Sequence, residues 1–173
     1  MQVCDTLAFV VRGGRTLTLL TISVLALFWL SPSASSSQLA EARLLTGQEQ
    51  SLLQAINQAR VARGIAPLRV GVRLQRAARA HSRAMARTGS FTHGNWYQRL
   101  RRHGVRGHTL GETIAWGVGT EGTAGAIVGM WLASPPHRAT MLNRGFRRVG
   151  VGVAIGTMAG LPGASVATAD FAT

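Results

Sequence analysis

The spacing of apolar positions changes along the chain, and the changes divide it into elements. Over residues 46–64, Leu52, Leu53, Ile56 and Ala59 recur at helical intervals, Thr46 and Glu49 make a capping box, and Gly64 provides a stop. This spacing predicts a first helix. After the turn IAPL a second helix is expected from about Gly71 to Arg87. On a wheel of about 100° per residue, Arg69, Arg73, Arg76, Arg79, Arg83 and Arg87 share a sector of about 120°. Val70, Leu74, Ala78, His81 and Met85 occupy the opposite face, so His81 is expected in the core. Phe91, Trp96, Tyr97 and Leu100 can dock a short third helix, followed by an exposed basic loop with Arg101, Arg102, His103, Arg106 and His108. A fourth helix, Thr123 to Ala133, is expected to bury Ile127, Val128, Met130 and Trp131. Ser134-Pro135-Pro136 breaks it, and His137 begins a short helix ending near Leu142. The period then falls to two. Val149, Val151, Val153 and Ile155 alternate with small residues, GTMAGLPG turns, and ASVATADF returns as the second strand of a hairpin. Helices packed on a small antiparallel sheet make the fold class α+β.

A chain of 173 residues is long enough for one domain with a proper core. Its first 36 residues read as a secretory signal: Arg12 and Arg15 precede a fourteen-residue apolar run, Leu17–Leu30, and small residues follow. A retained anchor is the alternative, although a spanning helix usually needs about 20 apolar residues. Residues 37–45 read as a linker and 46–173 as the domain. The one cysteine, Cys4, lies in the signal, so the mature chain is expected to have neither disulfide nor thiol chemistry. The formal charge is +13, and all 19 basic residues are arginine. Cleavage after residue 36 removes two arginines and one aspartate and leaves +12. Such a charge fits attraction to an anionic envelope or lipid surface, with nucleic acid disfavoured, and it also fits a plain coding bias towards arginine. The arginine stripe, likewise, reads either as a solvated helix face or as a polyanion site.

The candidate chemistry centres on residues 110–142. Glu112 and His137 flank the fourth helix, and His93 lies upstream between Phe91 and Gly94. Between Glu49 and Asp170 the only acid besides Glu112 is Glu121. Gly117, Gly119 and Gly122 spell GxGxxG, but no acid follows at the distance a ribose would need, and no βαβ unit surrounds them. The glycines are expected to shape a turn instead, and no organic cofactor is implied. Neither HExxH nor GxSxG occurs. His103 and His108 lack an acidic neighbour and read as surface, His81 as a packing residue outside the site, and Asn57 and Arg60 either as surface groups or as buttresses tying the first helix to a neighbouring loop.

From about Leu52 to Phe171 the chain resembles the bacterial branch of the CAP superfamily, comprising cysteine-rich secretory proteins, antigen 5 and pathogenesis-related 1 proteins. The carriers are NQAR at 57–60, AHSRAMA at 80–86, FTH at 91–93, GETIAWG at 111–117, WLASPPHRATML at 131–142, FRRVGVGV at 146–153 and ADF at 169–171. The resemblance implies an α-β-α sandwich with a central cleft lined by His93, Glu112 and His137. Three departures stand out: Thr113 replaces an Asn, Ser134 stands where many eukaryotic members have a second acid, and Val166-Ala167 replace aromatic residues. Two imidazoles and a carboxylate fit three roles. They could hold Zn²⁺ or another divalent cation with open positions for water, act as a general base oriented by Glu112, or form a hydrogen-bonded network that pins loops. The expectation is a secreted or envelope-associated binding module with a metal-capable cleft and an unidentified ligand. The alternatives are a metal-dependent hydrolase acting on peptides or envelope material, and a polyanion- or lipid-surface-binding protein using the arginine stripe.

Overall fold

Local signals account for most of the elements in the computed structural model, which describes residues 45–173. The expected signal peptide, and the expected linker up to residue 44, lie outside the described residues. Helix α1, Gly47–Val61, starts at the predicted capping box: Thr46 Oγ1 accepts from the Glu49 amide at 3.3 Å, and Glu49 Oε2 accepts from the Thr46 amide at 2.8 Å. A short strand β1, Arg69–Val70, leads into helix α2, Val72–Thr88, which stops at Gly89 with φ +68°. Helix α3, Trp96–Arg102, is capped by Asn95. Strand β2, Leu110–Gly117, runs through a 3-10 turn into helix α4, Ala124–Ala133, capped by Thr123. Two prolines open helix α5, Pro135–Met141, and strands β3, Arg148–Met158, and β4, Leu161–Ala172, complete the chain.

The four strands lie in the order β1-β3-β4-β2, with β1 parallel to β3 and the other pairs antiparallel. The predicted hairpin is β3–β4, closed by Ala159 (φ 50°) and Gly160 (φ 80°). A pair of left-handed residues gives the tight turn whose twist suits two strands. The two faces of β3 differ as their alternation requires. Val149 and Val151 join Leu52 and Ile56 of α1, Ile127 and Trp131 of α4, Met141 of α5 and Phe171 in the main core. On the other face, a Cβ at Gly150, Gly152 or Gly156 would lie 2.0, 2.4 or 2.2 Å from main-chain atoms of Leu74, Ala78 or Ala86. The glycines therefore let the backbone of α2 rest directly on the sheet. Helices on both faces make the α-β-α sandwich that the sequence resemblance implied.

Three expectations are corrected. Arg69 and Val70, counted on the second helix's wheel, form β1 ahead of that helix, and their parallel pairing with β3 makes the sheet mixed. Residues 110–117 form a strand that the pattern did not predict. Positions 111–115 are buried without a break, which removes the polar alternation that marks a half-exposed strand. Finally, Phe91 and Tyr97 are 44% and 53% exposed, leaving Leu100 and part of Trp96 to dock α3.

Candidate functional site

Glu112 is where the site begins. The register aligns it with Asp170 of β4 and, beyond that, Gly150 of β3, on the face covered by α2. Its side chain is 1% exposed, and both oxygens are engaged. Oε1 accepts from His93 Nδ1 at 2.8 Å, and Oε2 accepts from Arg99 Nη2. A carboxylate oxygen accepts here, so this bond puts a proton on His93 Nδ1, and in the neutral ring Nε2 then carries the free lone pair. Arg99 also donates to the His93 carbonyl at 3.2 Å, so α3 clasps the FTH turn against β2. His137, in the first turn of α5, brings its ring centroid to 5.9 Å from that of His93, the two planes inclined by 39°. Burial, and secondarily the neighbouring His93, hold the His137 pKa below the ordinary imidazole value. That favours the neutral ring, the form able to accept a proton or ligate a metal.

From sequence, His81 reads as lying outside this group, and neither Arg99 nor Asp170 stands out as a site residue. His81 points inward from α2 as expected, but it lies close enough to Arg99, Glu112 and His93 to feel their charges. Desolvation first, then Arg99, lower its pKa, and Glu112 and the Thr92 main chain oppose them. Asp170 is completely buried, and its carboxyl is pushed well above the ordinary value by desolvation and then by the charge of Glu112, with Arg99 opposing. Neither Asp170 oxygen nor His81 Nε2 has a hydrogen-bond partner among the described residues. Asp170 was visible only as the acid of ADF; its place beside Glu112 comes from strand register, which the sequence does not display.

Next to His137, a groove of about 230 Å³ is lined by Phe91, Ile114, Ala115, Trp116, Met130 and Trp131. The Trp131 indole donates to the Ile114 carbonyl at 3.0 Å and fixes α4 against β2. The two imidazoles are the groups free to hold a metal, since Glu112 already serves His93 and Arg99. Among the described residues, no three His, Cys, Asp or Glu side chains converge to hold one ion. The arginine stripe is partly tied down: Arg79 pairs with Glu49, and Arg73 donates to the Gly104 carbonyl, whereas Arg76, Arg83 and Arg87 are exposed. His108 is exposed and His103 partly so.

Residues 53–159 match the model of a family described as the cysteine-rich secretory protein family, CAP. In sequence the chain is similar to the uncharacterized protein YkwD of Bacillus subtilis, with 30% identity over 113 residues, covering 62% of this chain and 43% of that one. Among solved structures, it is similar to an extracellular protein containing a SCP domain from Bacillus anthracis. There the TM-score is 0.60 at 23% identity, covering 82% of this chain and 45% of that one. An outer surface protein of Borrelia burgdorferi gives a TM-score of 0.57 at 17% identity, over 70% of this chain and 89% of that one. At these identities the structural likeness is one of fold. The chain spans less than half the length of the two Bacillus proteins.

Proposed function

Because the chain belongs to the cysteine-rich secretory protein family, CAP, we propose that it is an extracellular or envelope-associated binding module whose cleft takes up a divalent metal such as Zn²⁺ through His93 and His137. The observation that carries this reading is the His93–Glu112 bond at 2.8 Å, with the His137 ring 5.9 Å from His93. It supports two imidazole ligands with a carboxylate behind one of them, the arrangement that fixes tautomer and ring direction at many metal centres. In this reading Glu112 is a positioning residue. Two protein ligands leave the remaining positions to water or to a ligand in the groove, and a bound Zn²⁺ would polarise whatever oxygen occupied them. An extracellular or envelope location is supported by the apolar run Leu17–Leu30 behind Arg12 and Arg15. It is supported too by the extracellular and outer-surface proteins of similar fold.

The test is calorimetric titration of Zn²⁺ into the full chain, beside His93→Ala, His137→Ala and Glu112→Gln, with circular dichroism confirming the fold of each. One equivalent should bind, both alanine variants should abolish it, and Glu112→Gln should weaken it by about 10–100-fold. Absence of saturable binding by the folded wild type would overturn the metal reading. Turnover of a peptide or envelope substrate, lost in a folded Glu112→Ala variant, would replace the binding module with a hydrolase.

A further inference from the structure

A second candidate site shares no residue with the His93–His137 cleft. Between the start of α2, the loop after α3 and the first residue of β3 lies a hollow of about 320 Å³. Its lining includes Arg73, Arg106 and Arg148 and contains no acid. These arginines come from three separate segments, so the fold rather than a basic run collects them, and all three are exposed. Arg73 Nη1 donates to the Gly104 carbonyl at 2.9 Å, and Arg148 Nη2 donates to main-chain oxygens of Arg106 at 2.7 Å and Thr173 at 2.5 Å. Two guanidiniums are thereby held at the rim with donors to spare, since each carries five N–H groups. The Arg106 side chain makes no hydrogen bond or ion pair among the described residues.

The acidic side chains of the described residues do not neutralise this cluster. Among the described residues Glu49 pairs with Arg79, Glu112 pairs with Arg99, and Asp170 is buried with its charged form disfavoured. That leaves Glu121, whose 3-10 turn packs on Gly117 at the far end of β2. Gly117 pairs with Ser165 and Arg148 with Ala172 along β4. At the rise of a strand this separation is roughly 23 Å, well beyond the Debye length of about 8 Å at physiological salt. The hollow also receives the first turn of α2. Gly71 caps that helix without a side-chain bond and no acid occupies the first turn, so the amides of Val72, Arg73 and Leu74 lack an intrahelical acceptor.

We propose that this hollow binds a phosphate group. Three guanidiniums supply the forked, charge-assisted donors that a tetrahedral dianion accepts, and the α2 amides add to them. The hollow is larger than one oxyanion and leaves room for the group that carries the phosphate, either a lipid headgroup or a soluble phosphate ester. Arg76, Arg83 and Arg87 lie further along α2, outside the site.

The experiment is titration of inorganic phosphate into the full chain at constant ionic strength. It is followed by calorimetry and by the amide resonances of Val72, Arg73 and Leu74, for the wild type, Arg106→Gln, Arg73→Gln and Arg83→Gln. The first two variants should weaken binding by about tenfold each, with the Val72–Leu74 amides shifting saturably in the wild type. Arg83→Gln removes the same charge outside the hollow and should bind like wild type. Arg106 has no intramolecular bond to lose, so its replacement keeps the test valid even if Arg73→Gln unfolds the chain. Equal weakening by Arg83→Gln and Arg106→Gln, or unsaturable binding with unmoved amides, would reduce the effect to diffuse charge and overturn the proposal. Vesicles of phosphatidylcholine with phosphatidic acid identify the source. Retention that phosphate competes away and Arg106→Gln loses assigns a lipid headgroup; phosphate binding without retention assigns a soluble phosphate. Either outcome supports the site.

Discussion

Arg60 is a fully buried guanidinium with no carboxylate beside it. It donates instead to four main-chain carbonyls: Ala66 at 3.0 Å, Met141 at 2.7 Å, Asn143 at 3.0 Å and Phe146 at 3.3 Å. Burial, and then the nearby Arg147, lower its pKa below the ordinary arginine value. Met141 is the last residue of α5, where helix carbonyls run out of intrahelical partners. Arg60 therefore pins the end of the helix that carries His137, and Asn57 does similar work nearby by bonding both the amide and the carbonyl of Leu68. Replacing Arg60 with Met strands several buried carbonyls at once and is expected to lower stability by about 3 kcal/mol. Urea denaturation of Arg60→Met and Arg60→Lys measures this. Lysine should recover only part, because three donors at one point cannot reach what a planar fork reaches. A loss below about 1 kcal/mol for Arg60→Met would mean that the carbonyls find other partners. The burial was legible in one respect: Leu52, Ile56 and Arg60 recur every four residues, which sets the arginine on the apolar stripe of α1.

At the scale of elements, the alternation of valine with small residues in β3 is the seam of the molecule. Gly152→Ala would put a Cβ 2.4 Å from the Ala78 carbonyl oxygen in the backbone of α2, which cannot give way as a flexible side chain can. This overpacking should cost about 1–3 kcal/mol or more. Gly129, inside α4, has nothing within 4 Å of a built Cβ, and Gly129→Ala should stabilise by about 0.5–1 kcal/mol through helix propensity. Thermal or urea unfolding of the pair checks both signs, and destabilisation of equal size by both would refute the contact argument. The same glycines mark how far the sequence was legible. Period two identified β3 and β4, period 3.6 identified α1, α2 and α4, and the capping box marked the start of α1, because each is a local rule that the chain obeys. Strand β2 escaped because burial at positions 111–115 erases alternation, and β1 because two residues have no period. His93, Glu112 and His137 could be named from motif resemblance. Arg99 could not, lying in a basic run whose members Arg101 and Arg102 are exposed, nor could Asp170, whose pairing with Glu112 exists only once β2 and β4 are in register.

For the molecule as a whole, the buried titratable groups give stability two opposed dependences on pH. Asp170 has its pKa raised well above 3.8 in the folded state. In the window between those values the unfolded chain has released this proton and the folded chain retains it, so raising the pH favours unfolding. His81 and His137 act in the other direction. Their folded pKa values lie below 6.5, so the unfolded chain binds more protons just below that value, and stability is lost as the pH falls through the window. Wild-type stability should therefore fall on acidification from the histidine side, against a loss that Asp170 imposes as the pH rises from about 4. Asp170→Asn removes only the second contribution. The amide keeps the shape and neutrality of the protonated acid, but it has no proton to lose. Urea midpoints measured from about pH 4 to about pH 8 should show Asp170→Asn gaining on the wild type as the pH rises and converging with it near the bottom of the range. Parallel profiles for the two proteins would mean that Asp170 ionises alike in the folded and unfolded chains, and the neutral carboxyl beside Glu112 would have to be abandoned. Because the two histidines are untouched by the substitution, their acid limb should persist in the variant with its steep part still below pH 6.5, which separates a lost titration from a general change in stability.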